Sequence, residues 1–188
     1  MDSLSTTSEN NTFRITRFLV LAILATPLIY YSDLLFYANN SKLYFFLAVS
    51  QIAVVAYAWL VHHDERWKPR VNLLSVLVVA FIGILLVARL FGVNPSFSFW
   101  GSIDRSGSGL AWLHLGVAFV VLVSVFRQST DWRRVFEVSS VVALIVATIF
   151  FLSLLFPEGP ALLSKSKGGS TLGNSSFLGT YLLRQIGM

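Results

Sequence analysis

Long runs of this chain carry no charged side chain at all: Leu43 to Val61, Val71 to Ala88, Ser106 to Phe126 and Val138 to Pro157. A helical stretch of about 18 or more such residues is long enough to cross a ~30 Å hydrocarbon layer. Nothing else in the sequence limits the fold as tightly. The apolar residues come in blocks, not at the spacing of a helix with one wet face. Hydrophobic residues make up 55% of the 188 positions and charged ones 12%, against roughly a quarter charged in a soluble domain. The net charge of +5 has no basic face or aromatic–basic interleaving to go with it, so no nucleic-acid partner is expected. In a membrane chain the same excess fixes loops on the cytoplasmic side. With no cysteine, disulfides and thiolate metal sites are excluded.

The expected fold class is all-α: a polytopic transmembrane helical bundle with about five full spans and a partial sixth. Residues 1–12 (MDSLSTTSENNT) read as a disordered polar tail, and residues 13–188 as the transmembrane helical domain. Arg14 and Arg17 precede an apolar run without a small-residue cleavage site, which reads as an uncleaved first helix over 15–36, kinked at Pro27. The next spans are expected at 43–61, 71–90, 110–127 and 136–156, and a partial one at 174–188. Arg14, Arg17, Arg66, Lys68, Arg70, Arg127, Arg133 and Arg134 fall in connections on one side. Lys42, Arg105, Lys165 and Lys167 fall on the other, half as many. This bias puts the N-terminus in the cytoplasm. Trp67 and Trp132 on the inside and Trp100 on the outside suit the headgroup belts.

Two outer connections hold the residues with chemistry. FGVNPSFSFWGSIDRSGSGL is rich in Gly, Ser and Phe and carries one charge pair, Asp104 and Arg105. Either Arg105 grips an anion bidentately, or Asp104 simply neutralises it. Arg89, at the outer end of the third helix, is open to two readings as well: functional, or snorkelling to the headgroups. In SKSKGGSTLGNSSFLGTYLL, two lysines and a glycine run precede Asn174, a helix opening of the kind that binds phosphate or serves as a plain turn. His62, His63, Asp64 and Glu65 are adjacent and face no common point on a helix, so no metal site is expected. His114 has only apolar neighbours one turn away, which favours a structural hydrogen bond. No catalytic constellation is visible.

Taken together and in this order, two segments resemble the O-antigen ligase and polymerase family. FWGSIDRSGSGLAWLHLGVAFVV (99–121) is similar to that family's F-W-G-S-x-x-R-x-x-G-L segment, and GGSTLGNSSFLGTYLL (168–183) to its G-T-x-G-N-P-N-x-L-A-x-Y-L segment. An inner loop with Trp132, Arg133 and Arg134 lies between them, as in family members. The resemblance covers most of residues 70–183. It implies a membrane glycosyltransferase that transfers or polymerises undecaprenyl-diphosphate-linked glycans on the outer face of the bacterial inner membrane, with no cofactor. On that footing Arg105 binds the lipid diphosphate, Lys167, Gly173 and Asn174 shape the neighbouring wall, and Arg89 stands nearby.

Departures from the family pattern accompany the likeness. Lys165 and Lys167 stand where an arginine is usual, and Ser175 and Ser176 replace Pro-Asn. Family members continue through about ten to twelve spans and carry a proposed catalytic base later in the chain. The sequence therefore reads as an N-terminal portion, inactive alone, whose partners are the lipid bilayer, the glycan donor and a C-terminal half. The alternative from another class is a small non-catalytic membrane protein that packs against a larger membrane complex.

Overall fold

A computed structural model of the chain describes residues 2–31, 34, 37–101, 107–156 and 169–187, with side chains from residue 11 onward apart from Tyr37. Among these residues all regular structure is helical. The helices are α1 (Asp2–Leu24), α2 (Tyr37–His63), α3 (Leu73–Leu90), α4 (Pro95–Trp100), α5 (Gly109–Val125), α6 (Ser129–Leu155) and α7 (Ser175–Ile186). Single 3₁₀ turns lie at Thr26–Leu28, Glu65–Trp67 and Ser170–Leu172. By length and composition α2, α3 and α6 are able to cross a membrane, whereas α5 is apolar but shorter.

Three helix starts and one stop have clear local causes. Asn72, Asn94 and Ser108 each cap the helix that follows, accepting from the N–H of Ser75, Phe97 and Ala111 at 2.8, 3.0 and 3.1 Å. Pro27 ends the first apolar helix instead of kinking it. Without an N–H, and with a ring that meets the carbonyl four residues back, it cannot extend α1. The chain closes one 3₁₀ turn and leaves it extended at Ile29, with φ −74° and ψ 122°. The expected continuous helix over 15–36 is thus a helix that stops at Leu24. At its other end α1 takes in the polar segment read as a tail. Thr16 and Val20, one turn apart, are buried and fix the helix, and extending a formed helix is far easier than starting one.

The chain divides into two compact units, Met1–Ile23 with Leu47–Gln128, and Leu24–Phe46 with Ser129–Met188. In the first, α3 packs on α4 and α5, and α4 on α5. α2 buries a single stripe, Ser50, Ala53, Tyr57 and Leu60, while Ile52, Val55 and Trp59 point outward. Only Ile82 of α3 is buried. In the second unit α6 packs against α7 and the 3₁₀ turns at Thr26–Leu28 and Ser170–Leu172, around Val142, Val146 and Leu178. Helices apolar on every side but buried along one stripe leave their outer faces to a hydrocarbon solvent. This is a membrane protein's surface.

At the end of the first unit where α2 stops, cations and rings interleave. Trp67 stacks on Phe13 at 4.3 Å, with the Arg127 guanidinium 5.2 Å from its centroid. Arg127 also donates to the carbonyls of Arg66 and Lys68, and Tyr57 donates to that of Trp67. Burial lowers the Arg127 pKa from its ordinary value; nearby Arg70 lowers it further, and Tyr57 and Asp64 oppose the shift. It remains a cation at physiological pH.

Candidate functional site

Two helix openings hold the described residues of the two glycine-rich connections, one in each unit. In the first unit, Asn94 caps α4 and Pro95 takes its first position, where a missing N–H is harmless. This six-residue helix swings Ser98 and Phe99 back over the end of α3. The Arg89 guanidinium donates to the Ser98 carbonyl at 2.6 Å, which uses one N–H of its fork. Gly109, the first residue of α5, is buried against Phe99 and Arg89. A Cβ on it would lie 3.1 Å from Phe99 Cδ2, 3.2 Å from Phe99 Cα and 3.3 Å from Arg89 Cδ. The glycine of the S-G-L stretch is therefore a spacer that lets α4 and Arg89 sit on the start of α5. Trp100 remains exposed, as a belt residue does.

The opening in the second unit is pinned from several directions. Ser170 has a left-handed φ of 52°, and its hydroxyl donates to the Val146 carbonyl at 2.7 Å. The Thr171 hydroxyl donates to the Pro27 carbonyl at 2.7 Å. Both residues are wholly buried. The Lys42 ammonium donates to the carbonyls of Ala38 at 2.7 Å and Thr171 at 2.5 Å, leaving one of its three protons uncommitted by those contacts. Gly173 follows with φ 75°, and a Cβ on it would fall 2.5 Å from the Ala38 Cβ. Both the backbone and the space demand glycine there. Asn174 caps α7, accepting from the Ser176 N–H at 2.8 Å.

Of the residues singled out in the sequence, Gly173 and Asn174 lie together in one built turn, and Arg89 belongs to the other opening. Arg105 and Lys167 fall outside the described residues, as do Asp104 and Lys165. Sequence reasoning missed the role of Lys42, which it counted only as an outer charge. The contact with Thr171 spans 129 residues, and no local pattern announces it. It also missed α4, although Asn94–Pro95 is a cap followed by a first-position proline. His114 does have a polar neighbour, on another helix. Its Nδ1 lies 2.8 Å from the Leu110 carbonyl, and its Nε2 3.2 Å from the Gln51 amide nitrogen. The ring is thus protonated on Nδ1 and accepts from Gln51. His63 bonds back to the Trp59 carbonyl at 2.8 Å.

Comparison of the chain with protein-family models, characterised proteins and solved structures finds no match.

Proposed function

We propose that this chain is an O-antigen ligase-like membrane protein that handles lipid-diphosphate-linked glycans on the outer face of the bacterial inner membrane. In this reading it has about five spans and a partial sixth, its N-terminus is cytoplasmic, and both glycine-rich connections face outward. Glycan transfer itself needs the family's later segments, as a C-terminal half in the same or another chain.

The observation that carries the reading is the pairing of two resembling segments that each open a capped helix beside a half-buried cation, Arg89 in one and Lys42 in the other. Cations and free helix-start N–H groups are the chemistry that holds a diphosphate. Each opening has donors of its own, the Arg89 fork in the first unit and the third Lys42 proton in the second, and Arg105 and Lys167 lie on the same two connections in the sequence.

Binding of a fluorescent polyprenyl diphosphate to the purified chain in phosphatidylcholine nanodiscs tests this. Arg105→Ala is expected to weaken binding at least tenfold and Arg105→Lys by less, because an ammonium lacks the bidentate fork. In a complete protein carrying the later segments, Arg105→Ala should lose ~2–4 kcal/mol of transition-state stabilisation in glycan transfer. Equal affinity for the diphosphate in all three chains would remove Arg105 from the site.

A further inference from the structure

Gln51 stands near the middle of α2, which is apolar enough to cross a membrane over Ala38–His63. Its side chain is exposed on the surface of the first unit. The amide nitrogen lies 3.2 Å from His114 Nε2 and donates to it, and this is the one hydrogen bond that the described residues give Gln51. The second amide N–H and the carbonyl oxygen are left over. Hydrocarbon supplies a partner for neither, and a polar group without one there is costly.

The residues around Gln51 on this face are spaced for a second helix. Ala48, Gln51, Val55, Ala58 and His62 are all exposed and follow one another at alternating steps of three and four. That is the repeat of about 3.5 residues along which two helices pair with a left-handed twist. The flanks of the seam differ. On one side Ile52 and Trp59 project, both exposed. The other side is hollow: a cavity of about 390 Å³ lies between Val54 of α2 and Leu113 and Val117 of α5, with Gln51 and His114 in its wall.

We propose that α2 pairs with α2 of a second copy of this chain along the seam, Gln51 against Gln51. Copies of one sequence insert in one orientation, so a two-fold pair is parallel and brings each seam residue to its own counterpart at the same depth. The amide is its own complement in charge. The partly positive N–H of each Gln51 meets the partly negative carbonyl oxygen of the other, and two hydrogen bonds take up the groups that His114 leaves over. The two-fold axis also turns the Ile52 flank of each copy toward the hollow flank of the other, at the depth of Val54. A lipid tail has nothing to offer the amide. Another protein's helix meets it only by carrying a matching group at that depth, whereas a second copy carries one of necessity. The inference stands apart from the glycan reading, since it uses neither glycine-rich connection.

Disulfide cross-linking in phosphatidylcholine vesicles tests it, with one cysteine at a time added to a chain that has none. Ala48→Cys, Val55→Cys and Ala58→Cys are expected to form a linked dimer about tenfold faster than Leu77→Cys, which is exposed on α3, because pairing holds the seam thiols at high effective concentration. Energy transfer between copies labelled at Ser129→Cys measures the association itself. Gln51→Leu should weaken it about five- to tenfold, the worth of two interhelical hydrogen bonds, and Gln51→Asn, which keeps an amide, by less. Ala58→Phe, which holds the two backbones apart, should weaken it further. If Gln51→Leu disturbs folding through His114, Ala58→Phe at its exposed position decides alone. Linking of Leu77→Cys as fast as in the seam, or association unchanged in Gln51→Leu and Ala58→Phe, overturns the proposal. A chain that stays monomeric overturns it as well. Val55→Cys open to a lipid-soluble maleimide then means lipid on this face, and Val55→Cys shielded means another segment or another protein.

Discussion

The two helix openings are built from similar ingredients and held in different ways. In the second unit, the turn before α7 is fixed by three side chains that reach three separate backbones: Ser170 to Val146, Thr171 to Pro27, and Lys42 to Thr171. Gly169 to Thr171 are buried in it, and positive φ angles occur at Ser170 and, at its exposed end, Gly173. In the first unit, the described residues of the link between α3 and α5 are tied to α3 by the Arg89–Ser98 carbonyl bond and to α5 by the packing of Phe99, with Phe97 and Trp100 outside. The first is a fixed joint and the second an adjustable one.

Substitutions should separate the two openings by size of effect. Gly173→Ala combines a left-handed backbone with a contact to Ala38 far inside van der Waals distance, and is expected to cost about 2–4 kcal/mol in reversible unfolding in mixed micelles. Lys42→Met removes the ammonium bridging Ala38 and Thr171 and should cost about 1–2 kcal/mol, since the Thr171 carbonyl loses that donor. Gly109→Ala meets Phe99 at a tight but yielding distance, for which about 1 kcal/mol is expected. Arg89→Gln is the smallest, under about 1 kcal/mol of stability, because its one bond is partly exposed. If Arg89→Gln destabilises more than Lys42→Met, the contrast between fixed and adjustable openings is wrong. If it leaves stability alone but lowers polyprenyl diphosphate affinity severalfold, the contrast gains a functional meaning.

What the sequence made legible follows from what is local. Helices α2, α3 and α6 appear as uninterrupted apolar runs, because a span is a property of consecutive residues. The break at Pro27 was half visible: proline marks the place, but whether a chain kinks or leaves the helix depends on what packs beyond it. Here the Pro27 carbonyl is taken by Thr171, far along the chain, and the described residues 29–31 are not helical. Gly173 and Asn174 stand out by motif, and in the structure one is a left-handed turn residue and the other the cap of α7. Lys42, Thr171 and the Gln51–His114 pair were out of reach, since each matters only through a partner many residues away.

The central claim, that both glycine-rich openings face the outside while the Trp67 end faces the cytoplasm, has a direct test. The chain has no native cysteine, so Gly107→Cys, Ser175→Cys, His62→Cys and Ser129→Cys each report one position. Intact cells carrying each variant are treated with a membrane-impermeant maleimide, and then again after permeabilisation. The account predicts labelling of Cys at 107 and 175 in intact cells, and of 62 and 129 only after permeabilisation. Labelling of 107 and 175 from opposite sides, or of 62 and 129 in intact cells, would contradict it.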